Sequence, residues 1–266
     1  MDYPAHVTDT AYRYDGSFQG FLCCVFESFA RHELPAAIHP PEEGQTSLFG
    51  AREIPTDPRR AGRVAAALHR LGAPVERCVT SGFLADEAGK DLTLLHFLRL
   101  CFAQGPSAFW RMGDAPVAQA QALARRVDGE AGKYIEFLRF EEHGGMLGSI
   151  IHPRNRILPL LRGHFCSRLP DEEFVIFDAT HGMALLRRGG RVQYLRMERF
   201  APPPDGEEDA WKRLWRRFFH ALTIEERRNE RCQRTHAPKR YWQDMCEMAP
   251  EGRGQKSTTH PAEDMV

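Results

Sequence analysis

The stretch MLGSIIHPRNRILPLLRGHFCSRLPDEEFVIFDATHGMALLRRGGRVQYLRM, residues 146–197, decides the fold. Met146 to Ile151 is a short apolar run that predicts a strand. Ile157, Leu160, Leu161, His164 and Phe165 recur at helical spacing and predict a helix. Phe174 to Asp178 predicts a second strand, joined through His181-Gly182 to a third over Met183 to Arg187. Gly189-Gly190 then makes a two-residue hairpin turn into Val192 to Met197. Strand, helix and three-strand meander together imply an antiparallel sheet with helices packed on one face, which is an α+β fold.

Upstream, Arg59 to Glu142 reads as mostly helical, a helical insertion between two β-containing halves. Before it, Thr10 to Asp15 alternates Tyr with polar residues and predicts a strand that ends in an Asp15-Gly16 turn. Ser17 is positioned as an N-cap, and Phe18, Phe21, Leu22, Val25, Phe26 and Phe29 form one continuous helical stripe. A further strand is expected over Ser47 to Ile54. The next helix should be capped by Thr56 or Asp57, with Pro58 in its first turn. Downstream, Ala201 to Asp209 reads as a linker, and Trp211, Leu214, Trp215, Phe218, Phe219 and Leu222 as another apolar helical stripe. The expected parts are 1–57, 58–142, 143–200, a basic helical part 201–248 and a disordered tail 249–266. The folded parts are expected to form one compact unit.

Seventeen Phe and a hydrophobic fraction of 42% are enough to fill a core. No window approaches the roughly 18 consecutive apolar residues of a membrane span. Met1 to Thr10 lacks the pattern of a signal peptide, so a cytoplasmic location is expected. The seven Cys are odd in number and irregular in spacing, which argues for reduced thiols over a disulfide framework. There is no C-x-x-C pair, no H-x-x-H and no H-E-x-x-H, so neither a metal site nor a cofactor is expected.

Thirty-six basic residues balance 36 acidic ones, yet they are unevenly placed. Trp211 to Arg240 holds ten Lys or Arg against Glu225, Glu226 and Glu230. His152 to Arg168 holds four Arg and no acid. Such segments imply a charged face suited to a polyanion. In the first, Arg227, Arg231, Lys239 and Arg240 are candidate phosphate contacts, with Asn229 and Gln233 beside them. Tyr241 and Trp242 are there either to stack on bases or to anchor the segment in the core. In the second, Arg154, Asn155 and Arg168 are candidate contacts and His164 a candidate acid–base group, with a core role for that ring as the alternative. Glu130 and Asp178 are the carboxylates that could accompany it; each also has a plain reading, as a helix-surface charge and a turn residue.

Several stretches in order resemble one family. They are Tyr14-Asp15-Gly16-Ser17-Phe18 with Gly20-Phe21 and Val25-Phe26-Glu27, IPTD at 54–57, and Glu130 with FLRF at 137–140. ILPLL at 157–161 follows, with His164-Phe165 and Arg168, then Trp215 with Phe218-Phe219 and Ile224. Glu226-Arg227 with Asn229 and Gln233, and PKRYW at 238–242, complete the set. The pattern is similar to that of the probable DNA metabolism proteins, whose core is a domain of unknown function. Members are typically encoded beside a radical-SAM protein of DNA modification or repair, and some carry a fused uracil-DNA glycosylase domain. This chain departs from the pattern at Glu130-Ala131-Gly132-Lys133, where relatives have a His, and no glycosylase domain is expected after Trp242.

The resemblance implies a DNA-binding accessory protein that works with a radical-SAM partner, which would hold the cluster because this chain has no C-x-x-x-C-x-x-C. Two alternatives stay open. One is a metal-independent enzyme on nucleic acid or a nucleotide that uses His164 with Asp178 or Glu130; the other is a protein adaptor with no nucleic-acid contact.

Overall fold

Ser17 starts the first long helix as its spacing predicts. Its hydroxyl accepts from the Gly20 N–H at 2.9 Å, while Asp15 accepts from the Ser17 N–H at 2.9 Å. A side chain at Gly20 would place Cβ 2.2 Å from Asp15 Oδ1 and 2.8 Å from the Tyr14 ring, so only glycine fits this turn. The computed structural model describes residues 6–41, 50–200, 206–221 and 229–248. The chain divides into two units, Met1–Gly132 with Arg154–Leu160, and Lys133–Pro153 with Leu161–Val266.

In the first unit, β1 (His6–Val7) pairs with β3 (Glu33–Leu34), and β2 (Thr10–Arg13) lies between β4 (Ala37–His39) and β5 (Gly50–Glu53). Both pairings of β2 are parallel. A central parallel strand is covered on both faces, and Ala11 and Tyr12 are accordingly both buried, where simple alternation predicted one buried face. The expected strand over Ser47 to Ile54 is seen as Gly50–Glu53, and Ser47 to Phe49 lie outside the described residues.

Around this sheet stand α1 (Phe18–Ala30), α2 (Pro58–Arg70), α3 (Ala73–Phe83), α4 (Lys90–Gln104), a 3₁₀ turn (Pro106–Trp110) and α5 (Ala115–Phe137). Asp57 caps α2 by accepting from the Arg59 N–H at 2.8 Å, and Pro58 occupies the first turn. Leu94, Leu95, Phe97, Leu98 and Leu100 are all buried, which makes α4 the central helix of the core. A buried Arg99 on it is held by Ser28, donating to its hydroxyl at 2.9 Å and its carbonyl at 3.1 Å.

The second unit is built on a five-stranded sheet in the order β10-β9-β8-β7-β6. Its strands are β6 (Glu141–His143), β7 (Met146–Ile151), β8 (Phe174–Asp178), β9 (Met183–Arg188) and β10 (Arg191–Arg196). Three of its pairings are antiparallel: β8 with β9 and β9 with β10, as the meander predicts, and β6 with β7. The fourth, β7 with β8, is parallel: α6 (Leu158–Arg168) crosses between them, and a helical crossover returns the chain in the same direction. Gly189 and Gly190 both have positive φ, the conformation a tight hairpin between β9 and β10 requires.

Every residue of β8 is buried. Val175 and Phe177 pack with Met146, Ile150 and Phe200 on one face. On the other, Phe140 bridges Phe165 of α6 and Phe174, with ring centroids 5.4 and 5.8 Å away. The chain continues through α7 (Gly206–Ala221), α8 (Glu230–His236) and a 3₁₀ turn (Lys239–Asp244). Glu141 and Glu142, expected at the end of the helical stretch, belong to β6. The tail 249–266 lies outside the described residues. Among the described residues no helix is long and apolar enough to cross a membrane.

Candidate nucleic-acid interface

Three of the sequence candidates fall in the first unit and form one clasp. Glu130 on α5 is only 3% exposed. Its carboxylate accepts from the backbone N–H groups of Arg154 and Asn155 at 3.1 and 2.9 Å and from the Asn155 side-chain amide at 2.7 Å. Asn155 Oδ1 in turn accepts from the Asp86 N–H at 3.1 Å. Burial of a carboxylate is tolerable when several donors satisfy it, and here those donors are the loop itself. Glu130 and Asn155 are thus committed to holding residues 154–155 in place, and Arg154 is left exposed.

The second unit holds the others. Asp178, at the end of β8, is 1% exposed and accepts from the N–H groups of Thr180 and His181 at 3.0 and 3.1 Å. Its second oxygen meets His181 Nδ1 at 2.5 Å. The turn role weighed for Asp178 is therefore present, and the imidazole paired with it is His181, whereas the enzyme alternative set His164 with Asp178 or Glu130. His164 is half-buried with its ring edge-on to Phe165 at 4.9 Å, and its Nε2 has no hydrogen-bond partner among the described residues.

In the C-terminal segment, Asn229 is the N-cap of α8 and accepts from the Cys232 N–H at 3.0 Å. Gln233 donates to the Met248 sulfur. Tyr241 is 1% exposed and packs edge-on against Tyr134 at 5.2 Å, so it anchors the segment and is not open to a base. Arg240 lies over that ring at 4.7 Å and donates to its hydroxyl. Trp242 is half-buried, donates from Nε1 to the Ala237 carbonyl at 2.8 Å and lies under the Lys239 ammonium. Arg227 lies outside the described residues. Arg168, Arg213, Arg217, Arg231, Lys239 and Arg240 are exposed, and no carboxylate pairs with any of them among the described residues.

The second unit also contains a cavity of about 740 Å³, which none of these six cations lines. Trp211 and Trp215, four residues apart on α7, line it together with Phe140 and Phe200. The two tryptophans of this apolar stripe are 60% and 42% exposed. Lys212 and Arg216 from the same helix and Arg139 before β6 bring three full cations to the lining. Lys212 pairs with Glu141 at 2.7 Å, and Arg139 with the buried Glu247 at 3.2 Å. Arg216 donates from Nε to the Cys246 carbonyl at 2.8 Å, and no carboxylate meets its charge among the described residues.

His152, just past β7, completes the polar side of the lining. Its Nδ1 lies 2.7 Å from Asp244 Oδ1, and its backbone N–H donates to Oδ2 at 3.3 Å. Tyr134 donates to the same Oδ2 at 3.1 Å. The hydrogen bond to Asp244 holds the His152 pKa above the ordinary histidine value, against its partial burial, with help from the charges of Asp244 and Asp178. His152 and Asp244 stand 92 positions apart, and no local spacing rule connects them. The excess of basic residues around Trp211 was visible in the sequence; its convergence with Arg139 and His152 was not. Among the described residues no cluster of His, Cys, Asp and Glu could hold a metal ion.

The family model described as a domain of unknown function, DUF4130, matches residues 88–247. No curated protein and no solved structure matches the chain.

Proposed function

Starting from a chain that belongs to the DUF4130 family, a domain of unknown function, we propose a DNA-binding accessory role for its second unit, in DNA repair or modification. The observation that carries this reading is that exposed cations meeting no carboxylate among the described residues share the second unit with exposed tryptophans. Arg213, Arg217, Arg231, Lys239 and Arg240 supply charge for phosphates, and Trp211 and Trp215 supply flat apolar faces for unpaired bases. Single-stranded DNA suits this better than duplex, because stacking on a tryptophan needs a base that is free of its own stack. The resemblance to proteins encoded beside a radical-SAM enzyme of DNA modification or repair supports that enzyme as the partner that performs the chemistry.

An electrophoretic titration with single-stranded DNA at low salt tests the reading. The expected result is a salt-sensitive shift that Glu substitutions at Arg227, Arg231 and Arg240 abolish. No shift with single or double strands would end it. Leu214, 54% exposed between the tryptophans, favours a second reading in which this face docks a protein. Co-purification with the radical-SAM protein that survives nuclease treatment, with no DNA shift, would select that second reading.

A further inference from the structure

Asp244 is a nearly buried carboxylate whose side chain is 7% exposed, while the ring it holds is 39% exposed. Tyr134, the His152 backbone and His152 Nδ1 are its partners, so the ring is fixed with Nδ1 toward the acid. A carboxylate accepts only, so Nδ1 carries the hydrogen and Nε2 is the atom that gains or loses a proton. Nε2 has no partner among the described residues, and the ring lines the cavity. A cavity of about 740 Å³ lies within the roughly 300–1,000 Å³ range of small-ligand sites. Its aromatic part is formed by Trp211 and Trp215, and Arg216 brings a cation that meets no carboxylate among the described residues.

We propose that this cavity receives one nucleotide of a single strand, its phosphate held by Nε2–H of protonated His152 and by Arg216, its base against Trp211 or Trp215. The inference rests on the DNA-binding reading above and gives it a location and a titrating group. His152 is a binding residue here and Asp244 a positioning residue. Protonation turns Nε2 from an acceptor, which repels phosphate oxygens, into a charged donor. The other charged or titratable groups around the ring are Asp178, Tyr134, Glu141, His143, Arg139 and Lys212.

The test is a fluorescence-anisotropy titration of the full chain with a short oligothymidylate between about pH 5.5 and 8.5, the range in which a histidine changes charge. The wild type should bind most tightly at low pH and weaken about tenfold per pH unit above the His152 pKa, the slope of one linked proton. His152→Gln should bind weakly with little dependence on pH, and His152→Lys should restore tight binding that stays level across the range. His69→Gln, exposed on α2 of the first unit, should keep the wild-type profile. Because His152 is substantially exposed, these changes leave the fold intact, which circular dichroism verifies. A wild-type profile that His152→Gln reproduces would overturn the proposal while leaving DNA binding standing. Absence of binding by every variant at every pH would overturn both.

Discussion

Two carboxylates, Glu130 and Asp244, hold residues three positions apart in one short segment, and they do so to opposite ends. Glu130 closes on backbone and on Asn155, whose side chain is itself tied to Asp86, so every polar group points inward. Asp244 takes the His152 backbone N–H and one ring nitrogen, and the other ring nitrogen has no partner among the described residues. The chemistry of the acid is the same in both. What differs is the partner: an amide offers fixed donors, whereas an imidazole passes the effect of the acid on to a second atom that can change charge. A buried carboxylate is therefore a structural feature or a functional one according to what it holds.

The largest effect should come from the first clasp. Glu130→Ala strands two backbone N–H groups and one amide, each worth about 1–3 kcal/mol when left unpaired in the interior. A loss of about 3 kcal/mol or more in urea unfolding is expected, with DNA affinity per folded molecule unchanged. Loss of affinity in a fully folded Glu130→Ala protein would break the contrast. Tyr241 and Trp211 sharpen it further. Tyr241→Ala removes a buried ring and should cost about 3–5 kcal/mol of stability, as large aromatic truncations do. Trp211→Ala should leave the melting temperature within a degree or two and weaken single-strand binding by about 1–3 kcal/mol.

The smallest effect is the pH dependence of the second clasp. The folded-state pKa of His152 lies above its unfolded value. The stabilisation it gives is therefore complete below the unfolded pKa and disappears as pH rises through the folded one. Asp244→Asn should lower the His152 pKa, read from its ring resonances by NMR, and should destabilise the protein more on the acid side of neutrality than on the alkaline side. An unchanged resonance midpoint in Asp244→Asn would show that the acid does not govern the ring.

Much of the fold was legible because local pattern and tertiary placement agree. The cap at Ser17, the strand Phe174–Asp178 and the Gly189-Gly190 turn depend on neighbours in sequence, and all are present. The parallel pairing of β7 with β8 was implicit in the helix between them, yet the meander that follows drew attention to antiparallel order. The site was harder to read. Spacing marked Trp211 and Trp215 as an apolar stripe without saying how much of it is covered, and here both rings are partly exposed. Tyr241, beside Lys239 and Arg240, left a base contact and a core anchor both open, and packing against Tyr134 makes it the anchor. His152 gained meaning only through Asp244, a contact made by folding alone.

The chain has four tryptophans, and replacing Trp110 and Trp242 with Phe leaves emission from Trp211 and Trp215 only. Titrating that variant with single-stranded DNA while following its intrinsic fluorescence reports directly on the cavity wall. Stacked bases should quench the emission, and added salt should restore it as the strand dissociates. Emission that stays constant while anisotropy shows the strand bound would place DNA elsewhere on the molecule and contradict the role assigned to this cavity.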